Sequence, residues 1–254
     1  MVIALGGNAL IHAHQLGDFA QQLRNVTLAC KDIASLAREG VPLVLTHGNG
    51  PQVGNLELQM KAASPKIPTM PLHVEVGMTQ GEIGHLIYLG LKKWLPQRNI
   101  TGILTHVEVN PRDDAFAYPS KPIGPWYPNA THLKREKISF IYESKKGYRK
   151  MVASPEPKKI VELEAIEQLL KQNHIVIACG GGGIPVVRKN NSFQGVEAVI
   201  DKDFSSQVLA NALHAKEMVM LTNETHAYRG YFHPPTIPLS SLNVAKARKW
   251  VRKK

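Results

Sequence analysis

Three short apolar runs of this chain each end in a glycine-rich turn: VIALGGNAL (residues 2–10), LVLTHGNGPQVG (43–54) and IVIACGGGGIPVV (175–187). The third is the most demanding. Gly180, Gly181, Gly182 and Gly183 lose more backbone freedom on folding than any other four residues would, so something must approach that backbone too closely for a Cβ.

Between the apolar runs lie stretches of helical period. Leu23, Val26, Cys30, Ile33 and Ala37 share one helix face, and Gly40 stands where a helix would end. VEVGMTQGEIGHLIYLGLKKWL (74–95), residues 158–172 and DKDFSSQVLANAL (201–213) read as further helices. GILTHVEV (102–109), HIVIACG (174–180) and EMVMLT (217–222) read as strands. Strands alternating with helices predict a mostly parallel sheet covered on both faces, within a single α/β domain over residues 1–254. Residues 111–150 break the rhythm: prolines crowd NPRDDAFAYPSKPIGPWYP, and ISFIYESKKGYRKMV has the alternation of a hairpin turning at SKKG. We read this segment as a small excursion from the domain, a lid or subdomain.

In an open parallel sheet, ligands bind beyond the carboxyl ends of the strands. Glycines there let backbone N–H groups face a phosphate, and a following helix N-terminus adds its dipole. Three such turns, two with Asn beside Gly (Gly7-Asn8 and Gly48-Asn49-Gly50), point to a ligand site more than to plain turns. None fits GxGxxG with a following acidic residue or GxxxxGK[ST], so the cations for a phosphate must come from elsewhere. Two lysines stand out. Lys202 is flanked by Asp201 and Asp203 at a helix start, and Lys121 lies among prolines that stiffen its backbone.

Composition narrows the partners. The formal charge is +11, from 31 Lys and Arg against 20 Asp and Glu, which favours anionic ligands. Much of the excess falls in SKKGYRK (144–150) and KARKWVRKK (246–254), read here as solvated basic segments. Aromatics are only 6%, and nucleic-acid binders of the stacking kind set aromatics among their cations, so no nucleic-acid partner is expected. Cys30 and Cys179 are the only cysteines and form no CxxC pair, and His12-x-His14 makes no convincing metal pair. His47, beside Gly48, is the one histidine placed to touch a ligand. No run approaches the roughly 18–20 apolar residues of a membrane span, and no secretory signal opens the chain. A cytoplasmic protein without a membrane partner is the simple reading.

The ordered set ALGGNAL, HGNGPQVG, MTQGEIG, KPIGPWY, VASPEPKKI, GGGGIPV, VIDKDFSSQVLA and LTN resembles the carbamate kinases of the amino-acid kinase superfamily. The resemblance covers roughly residues 1–228. It implies a three-layer αβα sandwich around a mostly parallel sheet with a small protruding subdomain, usually as a homodimer. The implied activity is reversible phosphoryl transfer between ATP and carbamate, giving ADP and carbamoyl phosphate with Mg2+. By the match, Gly6, Gly7 and Asn8 with Gly48, Asn49 and Gly50 would contact the transferred group and carbamate. Lys202 would neutralise phosphate charge, Asp203 would orient the lysines, and Lys121 would reach the substrate as a mobile arm. Gly181, Gly182 and Asp201 would belong to the nucleotide-phosphate site, and Thr222, Asn223 and Tyr228 would hold the nucleoside. Carbamate is already an anion, so this chemistry needs charge stabilisation and positioning more than a general base.

Two features depart from the pattern. NETHAY places Glu224 and Thr225 where the family carries an apolar and then an acidic residue. The family also continues through a GSMGPK-like segment with a third phosphate-facing lysine, which we expect to belong to a C-terminal part missing from this chain. A non-catalytic or weakly active nucleotide-binding paralogue is the alternative reading.

Overall fold

The computed structural model describes residues 1–6, 10–11, 15–144, 146–222, 226–230 and 236–251. They fall into two units, Met1–Leu221 and Thr222–Lys254. The first unit opens with β1 (Val2–Leu5), α1 (Phe19–Arg38), β2 (Val44–His47), α2 (Gly50–Ala63) and α3 (Leu72–Trp94). It continues through β3 (Ile100–Gly102), β4 (His106–Val109), β5 (Lys121–Tyr127), α4 (Thr131–Arg135), β6 (Phe140–Glu143), β7 (Gly147–Val152) and β8 (Pro157–Ile160). It closes with α5 (Leu163–Lys171), β9 (Ile175–Ile177), β10 (Ile184–Lys189), β11 (Ser192–Gly195), α6 (Lys202–Ala212) and β12 (Met218–Leu221).

The central sheet has the order β12-β1-β2-β9-β3, and every pair in it is parallel. Successive side chains on a strand face opposite ways, and the burial follows that rule. Ile3, Leu5, Leu45, Ile175 and Ile177 join one core with Val26, Cys30 and Ile33 of α1 and Ile83, Ile87 and Leu91 of α3. Val2, Val44 and Val176 join the opposite core with Ile166 of α5 and Leu209 of α6. Helices therefore cover both faces, giving the αβα sandwich. Asp18 caps α1 by accepting from Gln21 N at 2.8 Å, and Gly40 follows the helix at φ +80°, as its place in the sequence predicts.

Two expectations change. GILTHVEV is two strands, because the chain bends at residues 103–105 and leaves the central sheet. Residues 158–172 begin as a strand: Ile160 is a strand residue of β8, and the helix opens only at Leu163. Both follow from a second sheet, ordered β11-β10-β4-β8. β3 pairs with β9 in the first sheet and β4 with β10 in the second, so two parallel partners turn the same corner side by side. The glycine turn is the corner of the β9–β10 path. A third sheet, β5-β7-β6, falls largely within the segment read as an excursion, with the expected hairpin between β6 and β7.

The second unit contains an antiparallel pair, β13 (Ala227–Arg229) with β14 (Ile237–Leu239), and α7 (Val244–Val251). Part of the C-terminal basic segment is thus folded: Trp250 packs against Lys246 and Arg229, 5.3 and 5.5 Å from the ring centroid. No helix among the described residues is long and apolar enough to cross a membrane.

Ile87 is fully buried between the sheet and α1. Ile87→Ala should lower the unfolding free energy by about 2–5 kcal/mol in urea denaturation. Leu28→Ala, at an exposed position of α1, should change it by less than about 0.5 kcal/mol.

Candidate active site

All three glycine turns leave the same carboxyl edge of the central sheet, since β1, β2 and β9 are neighbouring parallel strands. Gly6 and Gly48 lie side by side there: the Gly6 amide donates to Leu221 O and the Gly48 amide to Leu5 O, both at 3.0 Å. Gly7 and Asn8 lie outside the described residues.

The four-glycine turn is shaped first by the protein itself. Cys179 is left-handed at φ +51°, and Gly181, Gly182 and Gly183 have φ of +64°, +86° and +89°. A Cβ at Gly180 would overlap His47, at Gly181 Asn49, at Gly182 Ile200 O, and at Gly183 Val107. The close approach demanded by these glycines is therefore made by two loops and two strands of the same chain. The Gly182 amide is taken by Cys179 O at 3.0 Å, and Gly182 does not line the cleft described next, whereas Gly181 does.

Buried side chains hold the turn from behind. Gln80 donates to Gly180 O and Thr105 O and accepts from Thr105 N, while Thr105 Oγ1 accepts from Cys179 N. Asn49 Nδ2 donates to Thr79 Oγ1 at 2.9 Å, so its side chain serves the turn. Ser205 Oγ donates to Gly182 O at 2.5 Å, and Ser206 joins Thr46 at 2.6 Å, tying the first turn of α6 to the glycines and to β2. Thr79, Gln80, Thr105, Ser205 and Ser206 are positioning residues that the sequence reading missed. A hydroxyl or amide inside an otherwise apolar helical or strand pattern was their only signal.

In front of the turn lies a cleft of about 430 Å3 lined by Gly48, Asn49, Gly50, Gly181, Asp201, Lys202 and Asp203, with Lys121 and Arg149 from the protruding sheet. Two helices begin at it. α2 starts at Gly50 with Pro51 in its first turn, and α6 starts at Lys202. Both N-terminal ends present partial positive charge to an anion.

Two short ion pairs set the charges. Lys202 Nζ meets Asp203 Oδ1 at 2.6 Å, and Lys121 Nζ meets Asp201 Oδ2 at 2.5 Å across 80 residues of sequence. The flanking aspartates thus divide their work: only Asp203 holds Lys202. Asp201 caps α6 by accepting from Asp203 N at 2.9 Å while holding Lys121. Burial alone would raise the Asp201 carboxyl, but Lys121, the Asp203 amide and Lys202 outweigh it and hold the group below its ordinary value. Lys121 is docked at the head of β5 by this pair.

The protruding sheet rests on α2. Gly54 lies so close to Gly124 that a Cβ on Gly54 would overlap the strand backbone. Lys150 of β7 meets Glu57 of α2 at 2.5 Å, both largely buried, and Lys61 meets Glu57 at 2.8 Å. Arg149 donates from Nε to Gly124 O at 2.8 Å and lies 5.4 Å from the Trp126 ring centroid. SKKGYRK is therefore not simply a solvated segment. Strand alternation turns Arg149 into the cleft and Lys150 onto α2.

His47 does not reach the cleft. It is buried under Gly180, its Nδ1 donates to Gly48 O at 3.1 Å, and burial pulls its pKa down to about 4 despite that bond. Thr222 opens the second unit and Tyr228 lies in β13, while Asn223 and the His12–His14 pair lie outside the described residues. No group of three or more His, Cys, Asp or Glu side chains able to hold a metal stands together among the described residues.

The sequence model of the Amino acid kinase family matches residues 1–252. Carbamate kinase 2 of Enterococcus faecalis is 40% identical over 99% of this chain and 82% of its own length. Among solved structures, carbamate kinase from Giardia lamblia bound to citric acid superposes with a TM-score of 0.91 at 35% identity, over 99% of this chain and 82% of that one. The same Giardia enzyme bound to AMP-PNP gives a TM-score of 0.83 at 37% identity, over 94% and 78%.

Glu75, 2% exposed, feels the charges of Glu57 and Lys150, and its Oε2 has no hydrogen-bond partner among the described residues. Burial, then the charge of Glu57, and also Glu197, push its carboxyl up to about 7, against the pull of Lys150 and Lys61. The folded value exceeds the ordinary 4.5, so its contribution to stability is fully present below pH 4.5 and lost as pH rises through 7. Glu75→Gln should therefore raise Tm relative to the parent at about pH 8 by more than it does at about pH 4.5. A pH-independent difference in calorimetry would contradict this.

Proposed function

Because the chain belongs to the amino-acid kinase family and, within it, to the carbamate kinases, we propose that its cleft catalyses reversible phosphoryl transfer between ATP and carbamate. The observation that carries this reading is the convergence of Lys121 and Lys202, each held by its own aspartate, on one cleft with a glycine turn and two helix N-termini. The Giardia relative bound to AMP-PNP supports a nucleotide in the site, and the one bound to citric acid supports a carboxylate-rich ligand.

In the forward direction a carbamate oxygen attacks the γ-phosphorus of ATP. The new P–O bond forms as the bond to the β-phosphate bridging oxygen breaks, and ADP leaves with the negative charge. No proton has to move, so the protein's task is to align the partners and stabilise spreading charge. Gly48, Asn49 and Gly50, with Gly6, Gly7 and Asn8 as the resemblance implies, take the acceptor and the transferred group; since the Gly6 and Gly48 amides are committed to Leu221 O and Leu5 O, those two glycines contribute close backbone approach and not donated N–H groups. Gly181 and the start of α6 take the nucleotide phosphates. Gly182 supports this from behind, through the serine bond to its carbonyl. Lys202 and Lys121 neutralise the phosphates, and Asp203 and Asp201 keep the two ammonium groups aimed. Mg2+ fits this site as a companion of the nucleotide, since such a hard cation takes phosphate oxygens, waters and one or two carboxylates. Asp203, 45% exposed beside Lys202, would be its carboxylate partner, and the ion would supply further charge neutralisation when bound. A homodimer in the cytoplasm is part of the same proposal.

With Mg-ADP and carbamoyl phosphate the protein should form ATP, and Lys202→Ala should lose about 100-fold or more of that rate. ATP raising Tm without any turnover would instead favour the non-catalytic paralogue.

Docking of β5 on α2 should matter as much as the charges. Gly54→Ala should shift β5 and Lys121 and lower kcat at least about 10-fold, because small misplacements of a catalytic group are costly. Gly84→Ala, where a Cβ meets only open space, should leave kcat unchanged in the same assay.

A further inference from the structure

Three cations line the cleft, and two of them are paired there with aspartate. The third, Arg149, has no carboxylate within ion-pair distance among the described residues. Its Nε is committed to Gly124 O and its guanidinium lies against Trp126, which fixes the plane of the group. The two terminal NH2 groups remain as a fork, the geometry that meets a carboxylate with two parallel hydrogen bonds. Burial draws its pKa down, against the raising effect of Glu143, so the charge stands in a partly dry setting where an incoming anion is held more strongly than in water. Position decides which anion. Arg149 Nη2 lies 3.9 Å from the place of a Cβ on Gly50, the first residue of α2. The nucleotide-phosphate elements are instead the glycine turn and α6.

We propose that Arg149 is the acceptor-binding residue of this site, gripping the carboxylate of carbamate, or the carbonyl end of carbamoyl phosphate, between the protruding sheet and the start of α2. A guanidinium in this place selects a small planar carboxylate. It leaves the phosphoryl group to the lysines and the glycine turns. The proposal rests on the phosphotransfer reading above and deepens it.

The test is steady-state kinetics of ATP formation with the full chain, varying carbamoyl phosphate and ADP separately. Arg149→Gln should raise KM for carbamoyl phosphate about 10- to 100-fold, the usual effect of losing a hydrogen bond to a charged group. KM for ADP should stay within about threefold of the parent. Arg149→Lys keeps the charge and much of the stem but not the fork, so it should show the same split with a smaller rise. If Arg149→Gln does not fold by thermal denaturation, the Lys variant alone carries the reading. An unchanged KM for carbamoyl phosphate, or equal rises for both substrates, overturns the proposal. A parent protein that forms no ATP from these substrates would refute the phosphotransfer reading itself, a distinct outcome.

Discussion

The backbone of residues 180–183 is the constraint on which the site depends. At each of the four positions another part of the chain occupies the space a Cβ would need, and three of them hold positive φ. Only glycine satisfies both demands together. The reward is contact in four directions at once. Gly180 meets the end of β2, Gly181 the start of α2, Gly182 Ile200 on the approach to α6, and Gly183 β4. Because β9 turns here into β10, the same corner joins the central sheet to the second sheet. A side chain at any of these positions would separate elements that carry the lysines, the helix N-termini or the Gly48–Gly50 turn.

Electrostatics then builds on that packing. A buried polar group is costly unless it is bonded, and the groups behind the turn are almost all bonded to one another. Gln80 alone serves Gly180 and Thr105, and Thr105 serves Cys179. In front of the turn the balance is different. The Lys121–Asp201 and Lys202–Asp203 pairs are partly exposed and contribute little to stability by themselves. Their value is geometric: each holds a flexible ammonium at the cleft before any ligand arrives, so less ordering remains to be done when phosphate enters. Asp201 joins the two halves of this arrangement, since one carboxylate both caps α6 and holds a lysine of the protruding sheet.

Much of this was legible in the sequence because it depends on local rules. Apolar runs ending in glycine marked the carboxyl edge of a parallel sheet, and the hairpin around residues 140–152 showed in the alternation of Phe140 and Tyr142. The second sheet was not legible. Period-two patterning says that a run is extended but not which neighbour it pairs with, so β3 and β4 merged into one strand and β8 into a helix. The partner of Asp201 was hidden for a similar reason: Lys202 is adjacent in sequence, and nothing local ranks it below a lysine 80 residues away. Arg149 and Lys150 were read as solvent-facing charge because composition counts cations without regard to the side of a strand on which each one falls.

The protruding sheet shows how these levels combine. It packs on the rest of the first unit through Ile123 and Val152, which join Val53 and Val76 in one buried cluster, through backbone against backbone at Gly54 and Gly124, and through the largely buried Lys150–Glu57 pair. The Gly54–Gly124 and Lys150–Glu57 contacts face α2 and help set where the sheet sits. The Lys121–Asp201 pair opens onto the cleft, and there Asp201 competes with any incoming anion for the same ammonium. On the phosphotransfer reading proposed above, Lys121 would exchange Asp201 for an incoming anion while the α2 contacts keep the sheet in its seat. A lysine at the head of a strand can in this way serve as a movable charge even though the strand that carries it is firmly packed.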